Sequence, residues 1–193
     1  NITDPAVSLY GDMQVDISLP LDLLFTLGWG MRQDHAEGDQ WNLYNWKDPE
    51  SKKDTAADHF SEMEGSQLMT SLYSQLECDI IKKMLILYLG ARFDRWKNYD
   101  GKSRYNITEK EYSATTDWNI SPRASIVFKP GLEALSVKLE SLKASAGSAY
   151  NPPTIYQLYK YWMSGTTKEY NPNPDLKPEK SFSWEAGGDI SFF

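Results

Sequence analysis

The sequence predicts an all-β fold, an antiparallel transmembrane β-barrel meander of about seven strands. Three observations lead to this prediction. Apolar and polar residues alternate along most of the chain, the alternating stretches are long for a soluble sheet, and short turns alternate with long polar loops. The chain is 40% hydrophobic and 13% aromatic, which is the composition of a folded protein and not of a disordered one.

The first predicted hairpin turns at Ser18–Pro20. Apolar residues recur at alternate positions along both arms: Val7, Leu9, Met13, Val15 and Ile17, then Leu21, Leu23, Phe25, Leu27, Trp29 and Met31. The positions between them carry Tyr10, Asp12, Gln14, Asp16, Arg32 and Asp34. Because successive side chains of a strand point to opposite faces, each arm has one apolar and one polar face. A tilted membrane strand needs about 9–11 residues in the hydrocarbon, and both arms are long enough.

A second hairpin, turning at Lys82-Lys83, repeats this pattern. Its sequence SLYSQLECDI resembles SLYGDMQVDI of the first hairpin, and its GARFD resembles GMRQD. The apolar positions are Leu68, Leu72, Leu76, Cys78 and Ile80, then Leu85, Leu87, Leu89, Ala91 and Phe93. Tyr73, Gln75, Glu77, Arg92 and Asp94 belong to the polar face. The two units therefore read as hairpins of one meander.

Two further alternating stretches complete the predicted sheet. One runs from Arg123 to Phe128, and it is followed by a longer turn or bulge from Pro130 to Glu140 and by another strand. The last stretch alternates Phe182, Trp184, Ala186, Ile190 and Phe192 with polar or small residues. The polar faces, including Arg123, are predicted to line a water-filled lumen, and the apolar faces to meet lipid.

Long polar loops are predicted at about residues 35–66, 97–112 and 151–180, opposite the short turns. Outer-membrane barrels have short periplasmic turns and long extracellular loops. This asymmetry predicts that the three long loops are extracellular.

Composition excludes several other classes of protein. The net charge of −7 and the lack of a basic stripe disfavour nucleic-acid binding. Cys78 is the only cysteine, so the chain can form neither an intrachain disulfide nor a cysteine zinc cluster. The longest nearly apolar run, Met84–Ala91, is shorter than the roughly 20 residues that a membrane-spanning helix needs. No catalytic triad or metal-binding spacing is present, so we expect no enzyme, no metal site and no cofactor.

Two sequence runs carry a family resemblance: SAYNPPTIYQLY at residues 148–159 and NPNPDLKPEKSFSWEAG at residues 171–187. Together with GARFD and Ser121-Pro122-Arg123, they resemble the barrel signature of TonB-dependent outer-membrane receptors. The matching residues are Tyr150, Pro153, Thr154, Leu158, Tyr159, Asn173, Pro174, Leu176, Pro178, Glu179, Glu185 and Gly187. We interpret them as structural, because proline fixes φ and an Asn-Pro pair favours a turn.

The resemblance implies that residues 1–193 are part of a TonB-dependent receptor β-barrel in the outer membrane of a Gram-negative bacterium. Barrels of that family have about 22 strands and enclose an N-terminal plug domain, which is absent from this chain. A complete eight-strand barrel is the structural alternative. The implied function is active uptake of a scarce nutrient, an iron-siderophore-type chelate first among several cargoes, energised through TonB. The implied partners are the plug domain, the TonB complex, the chelate and outer-membrane lipid.

Aromatic residues of the first and last long loops are the candidate ligand contacts: Trp41, Tyr44, Trp46, Tyr156, Tyr159 and Trp162. Exposed aromatic rings can stack on planar ligands, although they can also form an interfacial girdle or pack loop on loop. His35 and His59, the only histidines, are conceivable haem ligands. The functional alternative from another class is a soluble, aromatic-rich β-sandwich that binds carbohydrate.

Overall fold

The computed structural model describes residues 2–45, 47–53, 59–134, 136–164 and 168–192. In these ranges the chain forms strands joined by short turns, with one short helix near the C-terminal end. The elements are β1 (Ile2–Thr3), β2 (Ala6–Leu19), β3 (Leu23–Trp41), β4 (His59–Ile81), β5 (Leu85–Tyr105), β6 (Thr108–Tyr112), β7 (Thr115–Phe128), β8 (Leu132–Ala134), β9 (Val137–Asn151), α1 (Ile155–Tyr159), β10 (Trp162–Ser164), β11 (Lys168–Tyr170) and β12 (Glu179–Phe192).

Within the described residues, ten of the strands form one antiparallel sheet. The long strands β2, β3, β4, β5, β7, β9 and β12 each pair with the next, while β1, β6 and β8 add short pairings to β3, β5 and β9. The predicted all-β antiparallel meander is therefore confirmed. The alternative of a closed eight-strand barrel is wrong, because β2 and β12 do not pair with each other in the described part of the chain and the sheet stays open.

The pairing register separates two faces of the sheet. Trp29 lies opposite Leu72, which lies opposite Phe93, so apolar residues of successive strands occupy one face, here called the outer face. Gly30, Ser71 and Asp94 form the neighbouring row on the other side, here called the inner face. Alternation along each strand carries these assignments through the sheet.

No second layer covers the outer face of the residues that the structure describes. Phe182 and Trp184 are 72% and 75% exposed, whereas a sandwich would bury such side chains against a second sheet. The alternative of a soluble β-sandwich is therefore wrong. A large exposed apolar surface of this kind fits contact with lipid.

Two neighbouring turns at one end of the strands are joined by an ion pair. The turn after β2 places Leu21 and Asp22 at φ of 68° and 57°, and the turn after β4 places Lys83 at 62°. Lys82 Nζ lies 3.0 Å from Asp22 Oδ2, which joins the two turns. The hydrogen bond to Asp22 raises the pKa of Lys82 above its usual value.

At the opposite end of the sheet, the strands extend further than the sequence predicts. β3 runs to Trp41 and β4 begins at His59, so both ends of the predicted loop 35–66 are strand. The loop predicted at 97–112 is a hairpin made by the end of β5 and β6. Polar residues predominate on both faces of these extensions, so the regular alternation that marks a strand is missing although the backbone pairing continues.

The remaining connections also differ in detail from the prediction. Residues 151–180 contain α1 and a hairpin of β10 and β11. In the predicted irregular stretch Pro130–Glu140, β8 pairs with β9, and a break in the β9–β12 register next to Ser141 leaves Glu140 outside the ladder as a bulge. Among the described residues, no helix has the length and apolar character needed to cross a membrane.

Candidate functional site

A segment that folds back over the inner face is the main feature of the long-loop end. Residues 152–161, here called the crossing segment, leave β9 and contact β5, β4 and β3, although β9 pairs with none of those strands. Ile155, Leu158 and Tyr159 of α1 form a small buried core with Met63 of β4. The segment therefore lies across the inner wall and does not extend away from the strand ends.

Two inner-face glycines make room for this core. A Cβ atom at Gly65 would lie 2.7 Å from both Ile155 Cγ2 and Tyr159 Cδ2, and one at Gly101 would lie 2.4 Å from Tyr159 Cζ. The two glycines lie at a break in the β4–β5 register, next to Asp100 at φ of 53°. Glycine inside a strand commonly marks a bulge or a close approach of another chain segment, and both occur here. Gly65 in β4 and Gly101 in β5 therefore leave the space that the Tyr159 ring occupies.

The sequence around α1 also explains why a helix starts there. Pro152 and Pro153 hold the chain extended, and Thr154 then caps the helix: its Oγ1 accepts a hydrogen bond from the Gln157 backbone N–H at 3.2 Å. The Gln157 side chain reciprocates by accepting from the Thr154 backbone N–H at 2.9 Å. Such a capping box satisfies two backbone donors that would otherwise be lost at a helix start.

Polar contacts hold both ends of the crossing segment. Gln67 of β4 donates from Nε2 to the Pro153 carbonyl at 3.1 Å and to Asn98 Oδ1 at 2.7 Å. At the other end, Lys160 Nζ lies 2.6 Å from Asp4 Oδ1 and 4.8 Å from the centre of the Tyr156 ring. The Lys160 side chain is only 2% exposed, and the Asp4 carboxylate balances its charge where it is removed from water.

Buried tyrosines at this site have raised pKa values. Burial, with a smaller contribution from neighbouring Tyr112, raises the pKa of Tyr159 above its usual 10.0. Burial also raises the pKa of Tyr161, and hydrogen bonding to Tyr105 adds to the effect. The phenol form is therefore stabilised in both, which suits side chains that hold the crossing segment by packing.

The predicted aromatic contacts of the last loop fall into two groups. Tyr159 is 1% exposed and stacks on Tyr112 with ring centres 5.4 Å apart, so it supports the segment from beneath. Tyr156 is 40% exposed on the same helix. Trp162 is 37% exposed and stacks almost parallel on Tyr170, with ring centres 4.0 Å apart.

The aromatic residues of the first long loop are not brought to this site. Trp41 occupies an outer-face position of β3, as the alternation along the strand requires, and its Nε1 donates to Asp39 Oδ2 at 2.6 Å. Tyr44 is exposed and has Lys53 Nζ 5.7 Å from its ring centre. Trp46 lies outside the described residues. The sequence reasoning missed Tyr105, whose ring centre lies 3.8 Å from that of Tyr161, because β5 was predicted to end before it.

The signature residues take structural positions. The Tyr150 ring stacks on Trp96 at 5.2 Å, and the Leu176 N–H donates to the Asn173 carbonyl at 3.2 Å, which closes a turn next to Pro174. Glu179, directly after Pro178, begins the pairing of β12 with β9, and Glu185 accepts a hydrogen bond from Ser145 at 2.8 Å. In these positions the motif shapes the wall.

Histidine and acidic residues form no evident metal site in the described ranges, where no group of three or more potential protein ligands is found. His35 lies in the outer-face phase of β3, with Nδ1 3.1 Å from Ser66 Oγ and Nε2 3.2 Å from Glu37 Oε1. It therefore lies on the face opposite to the crossing segment. His59 begins β4.

Comparison with known proteins agrees with this geometry. A family model described as "TonB dependent receptor-like, beta-barrel" matches residues 2–193. A solved structure of a double mutant of the Serratia marcescens hemophore receptor HasR, in complex with its hemophore HasA and heme, is similar in fold, with a TM-score of 0.59 and 16% sequence identity. The match covers 96% of this chain and 29% of that one, so the chain spans less than a third of the HasR chain. No curated protein matches the sequence.

Proposed function

Because the chain belongs to the TonB-dependent receptor-like β-barrel family, we propose that the whole protein imports a scarce nutrient by active transport energised through TonB. The family is one of transport receptors in the outer membrane of Gram-negative bacteria, and this chain is a section of such a barrel. Its apolar outer face meets lipid, and its polar inner face meets the plug domain and the bore. The section itself carries out no covalent chemistry.

The crossing segment is the observation that carries the proposal for the site. It forms a packed layer on the inner wall at the long-loop end, where a solute entering from outside arrives first. The crossing segment together with Trp162 and Tyr170 is here called the aromatic shelf. Tyr156 and the stacked pair Trp162 and Tyr170 are partly exposed on the aromatic shelf, whereas Tyr159 fixes it in place. The shelf thus presents aromatic surface on a rigid support, which lowers the ordering cost of binding.

The solute that fits this surface best is an iron chelate with planar aromatic groups, such as a catecholate siderophore. Aromatic rings stack on planar ligands in offset or parallel arrangements. Haem is the second candidate, because the fold is similar to that of HasR, which was solved with heme and a hemophore. His35 would not ligate haem bound at the inner wall, since it lies on the other face of the sheet.

Binding measurements on the purified full-length receptor test the proposed site. Trp162→Ala should raise the Kd of a ferric tris-catecholate complex by about tenfold, from the loss of one aromatic stack and its buried area. Trp184→Ala, a matched loss of tryptophan on the outer face of β12, should leave the Kd unchanged. Haem binding by the wild type and both variants would be measured in parallel. A receptor that binds neither chelate, or that loses binding equally in both variants, would contradict the proposed site.

A further inference from the structure

A cavity of about 420 Å³ lies on the inner face, below the crossing segment, between β5, β7 and the end of β9. The side chains that matter for its chemistry are Tyr73, Arg92, Asp94, Ser121, Arg123 and Tyr150. We call it the arginine cavity. It exists because β9 pairs with β7 only as far as Arg123, so the end of β9 diverges from β7 above that point. Tyr150, stacked on Trp96, closes the side towards the crossing segment.

Arg123 and Arg92 are both exposed cations of this cavity, and the row of the sheet that holds Arg123 leaves it uncrowded. The residues opposite it are Gly90 on β5 and Gly147 on β9, so neither neighbour places a side chain beside it. Among the described residues, no hydrogen bond or ion pair involving Arg123 is formed. Its guanidinium, with five donors and a permanent charge, therefore faces the cavity without an anion from the wall.

Arg92 differs from Arg123 because it is already fixed. Its Nε lies 2.8 Å from Asp94 Oδ1, and its Nη2 donates to Ser71 Oγ at 3.0 Å. Asp94 is fully buried and balances this charge. Two arginines and one aspartate thus leave one excess positive charge, although the chain as a whole carries −7.

Arg92 and Arg123 stand on neighbouring strands at diagonal positions, since Gly90 lies opposite Arg123 and Arg92 lies two residues further along β5. Diagonal neighbours in a sheet come within reach of each other's long side chains. An anion that lies between two guanidinium groups is attracted by both of them. The fork of donors on each group matches a carboxylate.

We propose that the arginine cavity binds a carboxylate group, gripped by Arg123 and steadied by Arg92. The carboxylate comes either from a transported solute that carries one in addition to any aromatic groups or from an acidic side chain of the plug domain inside the bore. In both cases the chemistry at the wall is the same. The proposal rests on family membership and on the inner-face geometry, and it does not depend on the aromatic shelf or on the identity of its ligand.

The alternative partner within this chain is Glu185, which does not line the arginine cavity but lines a second concavity on the other side of Arg123. Glu185 accepts a hydrogen bond from Ser145 and forms no ion pair with Arg123 among the described contacts. Because Glu185 and Arg123 line the same concavity, the experiment includes Glu185→Gln as a test of pairing within the wall.

Citrate, a tricarboxylate, is the probe, and its binding to the purified full-length receptor is measured by calorimetry together with thermal unfolding. Arg123→Gln keeps polarity and removes the charge, Arg123→Lys keeps the charge, and Arg32→Gln is the control. Arg32 is also an inner-face arginine, but it is paired with Asp34 at 2.9 Å outside the cavity. Loss of a charge-assisted contact should weaken citrate binding by about tenfold or more in Arg123→Gln, and by less in Arg123→Lys. Arg32→Gln should bind like the wild type.

The two sources of the carboxylate give different results. Citrate binding that needs Arg123 identifies the solute as the source. If the wild type does not bind citrate, but Arg123→Gln lowers the unfolding temperature and Arg32→Gln does not, the source is the plug domain. The proposal is overturned if Arg123→Gln changes neither quantity. It is also overturned if Glu185→Gln lowers the unfolding temperature as much as Arg123→Gln and the double variant adds nothing, because Arg123 would then be paired within the wall.

Discussion

Removing the Tyr159 ring should release the crossing segment from the inner wall. Tyr159 is 1% exposed, stacks on Tyr112 and fills the space above Gly65 and Gly101. Replacing a buried aromatic side chain by alanine typically costs about 3–5 kcal/mol. Because the two glycines offer no side chain to fill the space, we expect a loss of about 3 kcal/mol in the free energy of opening the segment.

Hydrogen–deuterium exchange on the full-length receptor in detergent measures this free energy directly. The Leu158 and Lys160 amides donate to the Thr154 and Tyr156 carbonyls at 3.1 and 3.0 Å, so their exchange reports opening of α1. A loss of 3 kcal/mol corresponds to exchange about a hundredfold faster in Tyr159→Ala, while the amides of β4 at the level of Leu72 should stay protected.

Tyr156→Ala is the matched control for this prediction. It removes the same ring from the same helix, but Tyr156 is 40% exposed and its main contact is with the Lys160 ammonium. The ring is partly exposed although the ammonium is buried, so the cation–π contact contributes about 1 kcal/mol, and exchange should rise by about fivefold. Equal exchange in both variants, or unchanged exchange in Tyr159→Ala, would refute the packing of the segment on Gly65 and Gly101.

Three further changes test other parts of the account. Gly65→Ala should destabilise the segment by about 1–3 kcal/mol because its Cβ meets Ile155 and Tyr159 at 2.7 Å, whereas Gly187→Ala, with nothing within 4 Å, should be neutral in the same exchange assay. Leu21→Gly should raise the free energy of unfolding by about 1 kcal/mol, seen as a higher denaturation midpoint, since Leu21 has φ of 68°, and Leu21→Ala should give no gain. Because burial raises the pKa of Tyr159 above 10.0, the neutral phenol contributes fully to the stability of the crossing segment below pH 10, and this contribution declines as the pH rises above that value. Exchange of the α1 amides that shows no alkaline dependence beyond the intrinsic rate would contradict this.

The membrane-facing part of the fold was predictable because lipid imposes a strict pattern. Leu87, Leu89 and Phe93 alternate with the polar or small residues Tyr88, Gly90 and Arg92, and the register places the apolar members of the pattern on one face, as predicted. The two hairpins and their turns near Pro20 and Lys82 follow from the same alternation. Local sequence suffices there, since each strand must present one apolar and one polar face.

The long-loop end was predicted poorly, and the reason is also physical. Beyond Ala36 and Gly65, β3 and β4 carry mostly polar residues on both faces, although Met63 is buried, so pairing continues without the regular alternation that reveals it. The fold-back of Ile155–Tyr159 onto β4 is a contact between residues about 90 positions apart, which local patterns do not encode. The glycines at 65 and 101 were a usable signal, since an isolated glycine within a strand often marks a close approach.

Functional residues were anticipated only in part. The aromatic content of the last loop pointed to Tyr156 and Trp162, but the sequence did not separate them from the buried Tyr159. It also placed Arg123 on the inner face without indicating that its row holds glycines on both neighbouring strands, which only the register reveals.

The orientation of the two faces is the central claim, and cysteine accessibility tests it most directly. Single cysteines would replace Tyr88 on the inner face and Leu89 on the outer face of β5, in the full-length receptor reconstituted in lipid with Cys78→Ala. A membrane-impermeant maleimide should label position 88 and leave position 89 unlabelled. A fluorophore attached under denaturing conditions before reconstitution should be quenched by brominated lipid at 89 only. Labelling of 89 with lipid quenching at 88 would reverse the faces and contradict the account.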